Sequence, residues 1–198
     1  DLPLSVGGGV RAGSVNNLCV PNRTQLVQQI RFALSNLAAR NGHHNFEELC
    51  LEVARQKVTP NVLPATGPVS SGGDQGRDFE TMRTRVSPRL GETGLLLGLD
   101  GTELVAFACT LQQDRLDRKI RNDVSAICSA GEPVAAVVVY CEKDVTVASR
   151  HALQDWARQQ WNVPLDVVDG HALAEQLAES GLFWAATQFL SIPAELAP

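Results

Sequence analysis

The sequence predicts an α/β fold, a small mixed central sheet flanked by helices, and three observations carry that expectation. The run Val134-Ala135-Ala136-Val137-Val138-Val139-Tyr140 is apolar without alternation, as in a strand covered by helices on both faces. Before it, Leu116, Ile120, Val124 and Ile127 recur at helical spacing between Asp114 and Ala130. Earlier still, Arg77 to Arg85 reads with a period of two. Asp78, Glu80, Met82 and Thr84 fall on one face and Arg77, Phe79, Thr81 and Arg83 on the other.

In chain order, residues 1–22 are rich in Gly, Ser, Val and Asn without a period and read as a flexible arm. Residues 23–198 read as a single domain. Leu26, Val27, Ile30, Ala33, Leu34 and Leu37 predict a helix from Thr24 to Arg40, stopped by Asn41-Gly42. A second helix is expected from Asn45, where Asn45 and Glu48 are spaced as a capping box. Its buried stripe is Phe46, Leu49, Cys50 and Val53, and Thr59-Pro60 closes it. A short strand fits around Val62, and Ser70 to Gly76 is a glycine loop leading into the alternating strand. Gly91 to Gly98 reads as a turn or hairpin, and Glu103 to Leu111 as a central strand. After the helix from Asp114 to Ala130 and the apolar strand from Pro133 to Cys141, the alternation continues. A helix is expected from Ala148 to Trp161, a strand from Leu165 to Val168, and helices over His171 to Glu179 and Phe183 to Leu190.

Composition bounds the rest. Apolar residues make up 44% of the 198 and charged residues 20%, enough for a core of ordinary size. No apolar run is long enough to span a bilayer, and no signal peptide opens the chain. The one methionine is Met82, so the chain reads as a piece of a longer protein. Cys19, Cys50, Cys109, Cys128 and Cys141 are odd in number, and no pair has zinc-knuckle spacing. Free thiols in a reducing cytoplasm follow. A net charge of -5 argues against a broadly basic nucleic-acid coat. Locally, Arg77, Arg83, Arg85 and Arg89 form one basic group, and Arg115, Arg118, Lys119 and Arg121 another. Each is either a solvated face or a strip that contacts phosphate.

Two segments carry chemistry. One is the turn Gly72-Gly73-Asp74-Gln75-Gly76-Arg77-Asp78, which delivers an acid onto a strand. The other is Ala108-Cys109-Thr110, near the end of the central strand. Phosphodiester hydrolysis uses a divalent metal held by carboxylates, which stabilises charge on the phosphate and activates water. An acid and a lysine two residues apart on a strand share a face and serve that chemistry.

With Phe46-Glu47 on the second helix, these segments resemble the restriction-endonuclease-like superfamily, whose site is written PD-(D/E)xK. The glycine turn ending in an acid looks most like the Mrr-like and related defence nucleases. The resemblance covers roughly residues 24–170. It implies Mg²⁺-dependent cleavage of DNA by an effector module of a larger defence protein. The partners it implies are DNA and other domains of the parent chain; a homodimer is compatible with it, and no membrane is involved.

Residue by residue, Asp78 matches the family's metal-binding acid, with Glu80 on the same face as a second ligand. The competing reading, a residue that caps a turn, suits Asp74 better. Glu47 matches the family's helix glutamate and lies at the edge of the buried stripe, although a surface glutamate also fits there. The family's acid and lysine fall on Ala108 and Thr110, which have neither a ligand atom of that kind nor a charge. Gln112 and Lys119 are the groups able to substitute for them. Arg77, Arg115, Arg118 and Arg121 are the candidate nucleic-acid contacts; Asp114, Asp117 and Asp123 could instead engage the helical ones in salt bridges. A nuclease-derived module that binds DNA or a protein without cutting is the alternative.

Other motifs point nowhere specific. Gly7-Gly8-Gly9 follows no strand, and His43-His44 reads as surface. Ser149, His151 and Asp155 lack a nucleophile elbow. Trp156, Trp161 and Trp184 read as core or as a docking face.

Overall fold

The structure is a computed structural model that describes residues 22–64, 77–81, 104–130 and 133–198. The arm, the glycine loop, Arg83, Arg85, Arg89 and the Gly91 to Gly98 turn lie outside the described residues.

Two helices open the described chain, α1 (Arg23–Ala39) and α2 (His43–Lys57). Asn22 caps α1 by accepting a hydrogen bond from the Thr24 amide at 3.2 Å. The start of α2 departs from expectation. It begins at His43 with Gly42 as N-cap and no side-chain cap, so Asn45 lies inside the first turn. Glu48 is engaged there by His44, one turn earlier, at 3.2 Å.

Among the described residues, five strands follow among the remaining helices: β1 (Val62–Pro64), β2 (Phe79–Thr81), β3 (Val105–Thr110), β4 (Ala136–Cys141) and β5 (Leu165–Val168). They form one mixed sheet in the order β1-β2-β3-β4-β5. β2 runs antiparallel to both its neighbours, β1 and β3, and β3, β4 and β5 run parallel. Parallel neighbours need crossovers, and helices supply them. α3 (Leu116–Ser129) joins β3 to β4, and α4 (Val147–Trp161) joins β4 to β5. α5 (Gly170–Leu177) and α6 (Phe183–Leu190) complete the chain, before a short 3₁₀ turn at Ala194–Leu196.

The alternation of each strand sorts the core into two layers. Val105, Phe107, Val138 and Tyr140 pack with the apolar faces of α1, α2, α5 and α6. Ala106, Ala108, Val137 and Val139 pack with α3 and α4. Both faces are covered, which accounts for the unbroken apolar run of β4, buried at all six positions. On the first face Phe79 stacks on Phe107 with ring centroids 4.8 Å apart, and Tyr140 adjoins both. Among the described residues, no helix is long and apolar enough to cross a membrane.

Candidate functional site

β2 begins one residue after Asp78, and the chain bends at Asp78. That bend decides where the neighbouring side chains go. The Asp78 amide donates to the Phe107 carbonyl at 3.0 Å. Its carboxylate then accepts the amide of Cys109, extending the β2–β3 ladder by one side-chain hydrogen bond. Phe79 enters the layer beneath α2, whereas Arg77 turns to the α3 side. The Arg77 guanidinium donates to the carbonyls of Ile127 at 3.4 Å and Ala130 at 3.1 Å, both at the end of α3. It also holds Glu80 at 2.6 Å.

Two expectations are corrected by this geometry. Glu80, expected as a second ligand beside Asp78, is engaged by Arg77 instead. Arg77 is 5% exposed and spent on helix carbonyls, so it is not a surface group for phosphate.

Asp78 is brought together with α2. Cys50 on α2 and Cys109 on β3 lie in one apolar layer, and the carboxylates of Asp78 and Glu47 act electrostatically on both. Glu47 is half-buried, one turn before Cys50. The patch thus holds two carboxylates and two thiols. Burial pushes both thiols up, Cys109 well above the usual thiol range, and the neighbouring acids push the same way. Both cysteines stay protonated.

On β3, Ala108 and Thr110 do not lie on the side of α2. Ala108 packs in the layer of α3 and α4, and Thr110, two residues on, shares its face. Cys109 and Leu111 pack in the layer of α2. Along a strand, a one-residue offset exchanges faces, so the residues level with Asp78 and Glu47 are a thiol and a leucine.

The substitutes do not converge on this patch. Gln112 is exposed, its amide held by the Thr110 hydroxyl at 3.1 Å and its side chain by the Asp114 carbonyl at 2.5 Å. Lys119 lies on α3, across the sheet, and pairs with Asp123 at 2.6 Å. The other basic candidates are divided. Arg115 and Arg118 are exposed, whereas Arg121 lies 4.7 Å over the Trp156 ring. Asp117 accepts the Ser149 hydroxyl at 2.8 Å.

Magnesium demands near-octahedral hard oxygen ligands. Here the β3 side chains on the side of α2 are a thiol and an aliphatic chain, and Glu80 is engaged by Arg77. Among the described residues, no three His, Cys, Asp or Glu side chains are arranged to hold a metal ion. Among the described residues, these side chains do not supply the oxygen ligands that Mg²⁺ takes.

A second polar cluster, at the ends of the parallel strands, was not legible in the sequence. Glu142, just after β4, is 3% exposed. It accepts from Arg31 at 2.8 Å, from Ser35 at 2.9 Å and from Gln113. Arg31 also reaches Asp144 at 3.1 Å. Burial alone would raise the Glu142 carboxyl; the hydrogen bonds from Arg31, Ser35 and Gln113 and the guanidinium charge outweigh it and hold it below the usual carboxylate range. These residues border a crevice of about 510 Å³. The only sequence signal was the acid closing an apolar strand, and its partners lie far away along the chain.

Comparison with protein-family models, with curated proteins and with solved structures returns no match for this chain.

Proposed function

We propose that this chain is a restriction-endonuclease-like module directed at DNA that does not cut it, serving within a larger defence protein. The observation that carries the reading is the β2–β3 junction. An antiparallel three-strand meander with a parallel fourth strand across a helix is the arrangement that the resemblance implies. Asp78 stands at the start of β2 against β3, with Glu47 on the helix beside it. Cys109 and Leu111 then occupy the face where hydrolysis needs an acid and a lysine. Removing such charge stabilisation costs factors of hundreds or more in rate. Exposed Arg115 and Arg118, opening α3, are the groups this reading assigns to phosphate. The convergence of Glu47 and Asp78 on one patch favours a second reading, an active nuclease with relocated groups.

Plasmid incubated with the protein and Mg²⁺ or Mn²⁺ separates the two. The expected result is intact plasmid with both the parent protein and Asp78→Ala; nicking by the parent that Asp78→Ala abolishes would establish the active nuclease. A gel-shift series in rising salt tests the DNA role. A shift that fades with salt and weakens in Arg115→Ala/Arg118→Ala is expected, and no shift at low salt removes DNA as the partner.

A further inference from the structure

α1 carries two stripes at helical spacing. Leu26, Ile30 and Leu34 are buried in the core. Gln25, Gln28, Gln29 and Phe32 recur at i, i+3, i+4 and i+7 along the opposite, outer side and are exposed. Phe32 is 69% exposed, the most open large apolar side chain among the described residues. Beside this outer stripe runs a crevice of about 710 Å³, walled by α1 and by residues 190–196. Its apolar wall includes Leu190, Ile192 and Leu196. Among the described residues, no charged side chain lines it, although charged residues make up 20% of the chain.

We propose that this face is the interface of a homodimer, in which Phe32 of each copy enters the crevice of the other. Three features select a second copy over a different protein. The projecting ring and the crevice lie on one face, so a two-fold axis satisfies both at once and the contact closes. The row of glutamines is complementary to itself, because each side-chain amide both donates and accepts; a row of one charge would repel its copy. Finally, the chain has a net charge of -5, so two copies repel across most of their surface. The crevice opposes no charge to its copy, and loss of charged residues marks the centre of an interface. Glu195, exposed on the turn at Ala194–Leu196, lines no part of it.

Gln28 and Gln29 stand midway along the stripe. Two α1 helices crossing antiparallel about them set each Phe32 toward the Gln25 end of the other copy. The inference rests on this face and stands whether or not the chain binds DNA.

Sedimentation equilibrium of the full chain, from micromolar to millimolar protein, tests it. The mass is expected to rise from the 21.3 kDa of one chain toward twice that value. Phe32→Asp should weaken the dimer by at least about tenfold. Val147→Asp should leave it unchanged, since it adds the same charge at an apolar residue of similar exposure on α4, which packs on the opposite face of the sheet. Gln28→Glu/Gln29→Glu and Gln28→Lys/Gln29→Lys should each be monomeric, and their equimolar mixture should recover the dimer. The substituted positions are exposed, and an unchanged thermal midpoint verifies that each variant folds. A parent protein that stays at the mass of one chain throughout would overturn the proposal. So would equal weakening by Phe32→Asp and Val147→Asp, or a mixture of the charge variants that stays monomeric.

Discussion

Arg77 shows how one residue changes the meaning of its neighbours. The sequence places it on an alternating strand, among basic side chains suited to phosphate. The described strand is Phe79–Thr81, and the bend at Asp78 puts Arg77 outside it. The facing of Ala108 and Thr110 had a related cause: an unbroken apolar strand gives no period from which to assign faces, so Ala108 and Cys109 were equally eligible from the sequence. Glu47 was legible as a half-buried helix residue because its place on the helical wheel does not depend on the sheet. Arg77 is therefore expected to act on stability. Arg77→Ala removes charged hydrogen bonds to two helix carbonyls and should cost about 2–3 kcal/mol in denaturant unfolding. Arg77→Lys should restore little, because an ammonium cannot span the Glu80 carboxylate and both carbonyls as the planar fork does. A loss below about 0.5 kcal/mol, of the size seen at ordinary surface sites, would contradict the assignment.

Among the elements, those with strong periodicity emerged where the sequence placed them. β5 occupies Leu165–Val168 and α6 Phe183–Leu190, as read. α2 started early because Gly42 serves two helices. Its amide donates to the Leu37 carbonyl at 3.0 Å to finish α1, after Asn41 turns left-handed at φ 54°, and its own carbonyl accepts the Phe46 amide at 3.0 Å. So tight a junction leaves no room for Asn45 to act as a cap. Gly170, at the start of α5, carries a different constraint. A Cβ there would lie 1.9 Å from the Glu142 carbonyl oxygen and 2.6 Å from an Arg31 guanidinium nitrogen. Backbone cannot yield as a flexible side chain can. Gly170→Ala is thus expected to destabilise by several kcal/mol, on the order of the strain of an overpacked core. It should lower the thermal midpoint clearly, whereas Gly181→Ala, which meets mainly the movable Gln56 side chain, should change it little. Equal midpoints for the two variants would remove the close approach as a constraint.

For the whole molecule, the mixed sheet and its helical cover were legible from the alternation of patterns along the chain. The partition of helices between the two faces was not, since it depends on contacts between distant segments. The Glu142 cluster is such a contact: it ties α1, through Arg31 and Ser35, to the end of β4 and to the segment after β3 through Gln113. Because the folded state holds this carboxyl below its ordinary value, folding favours the ionised form. The resulting stability is fully present above the ordinary carboxyl range and is lost as pH falls through the lower folded value. Glu142→Gln keeps the shape but removes the charge facing Arg31, with Asp144 left as that guanidinium's acidic partner. Denaturant midpoints of the parent and the variant, measured from neutral pH downward, should differ most at neutral pH. The gap should close as the solution passes below about pH 4. A gap that stays constant across that range would mean that the cluster stabilises the molecule by packing alone, independent of the carboxylate charge.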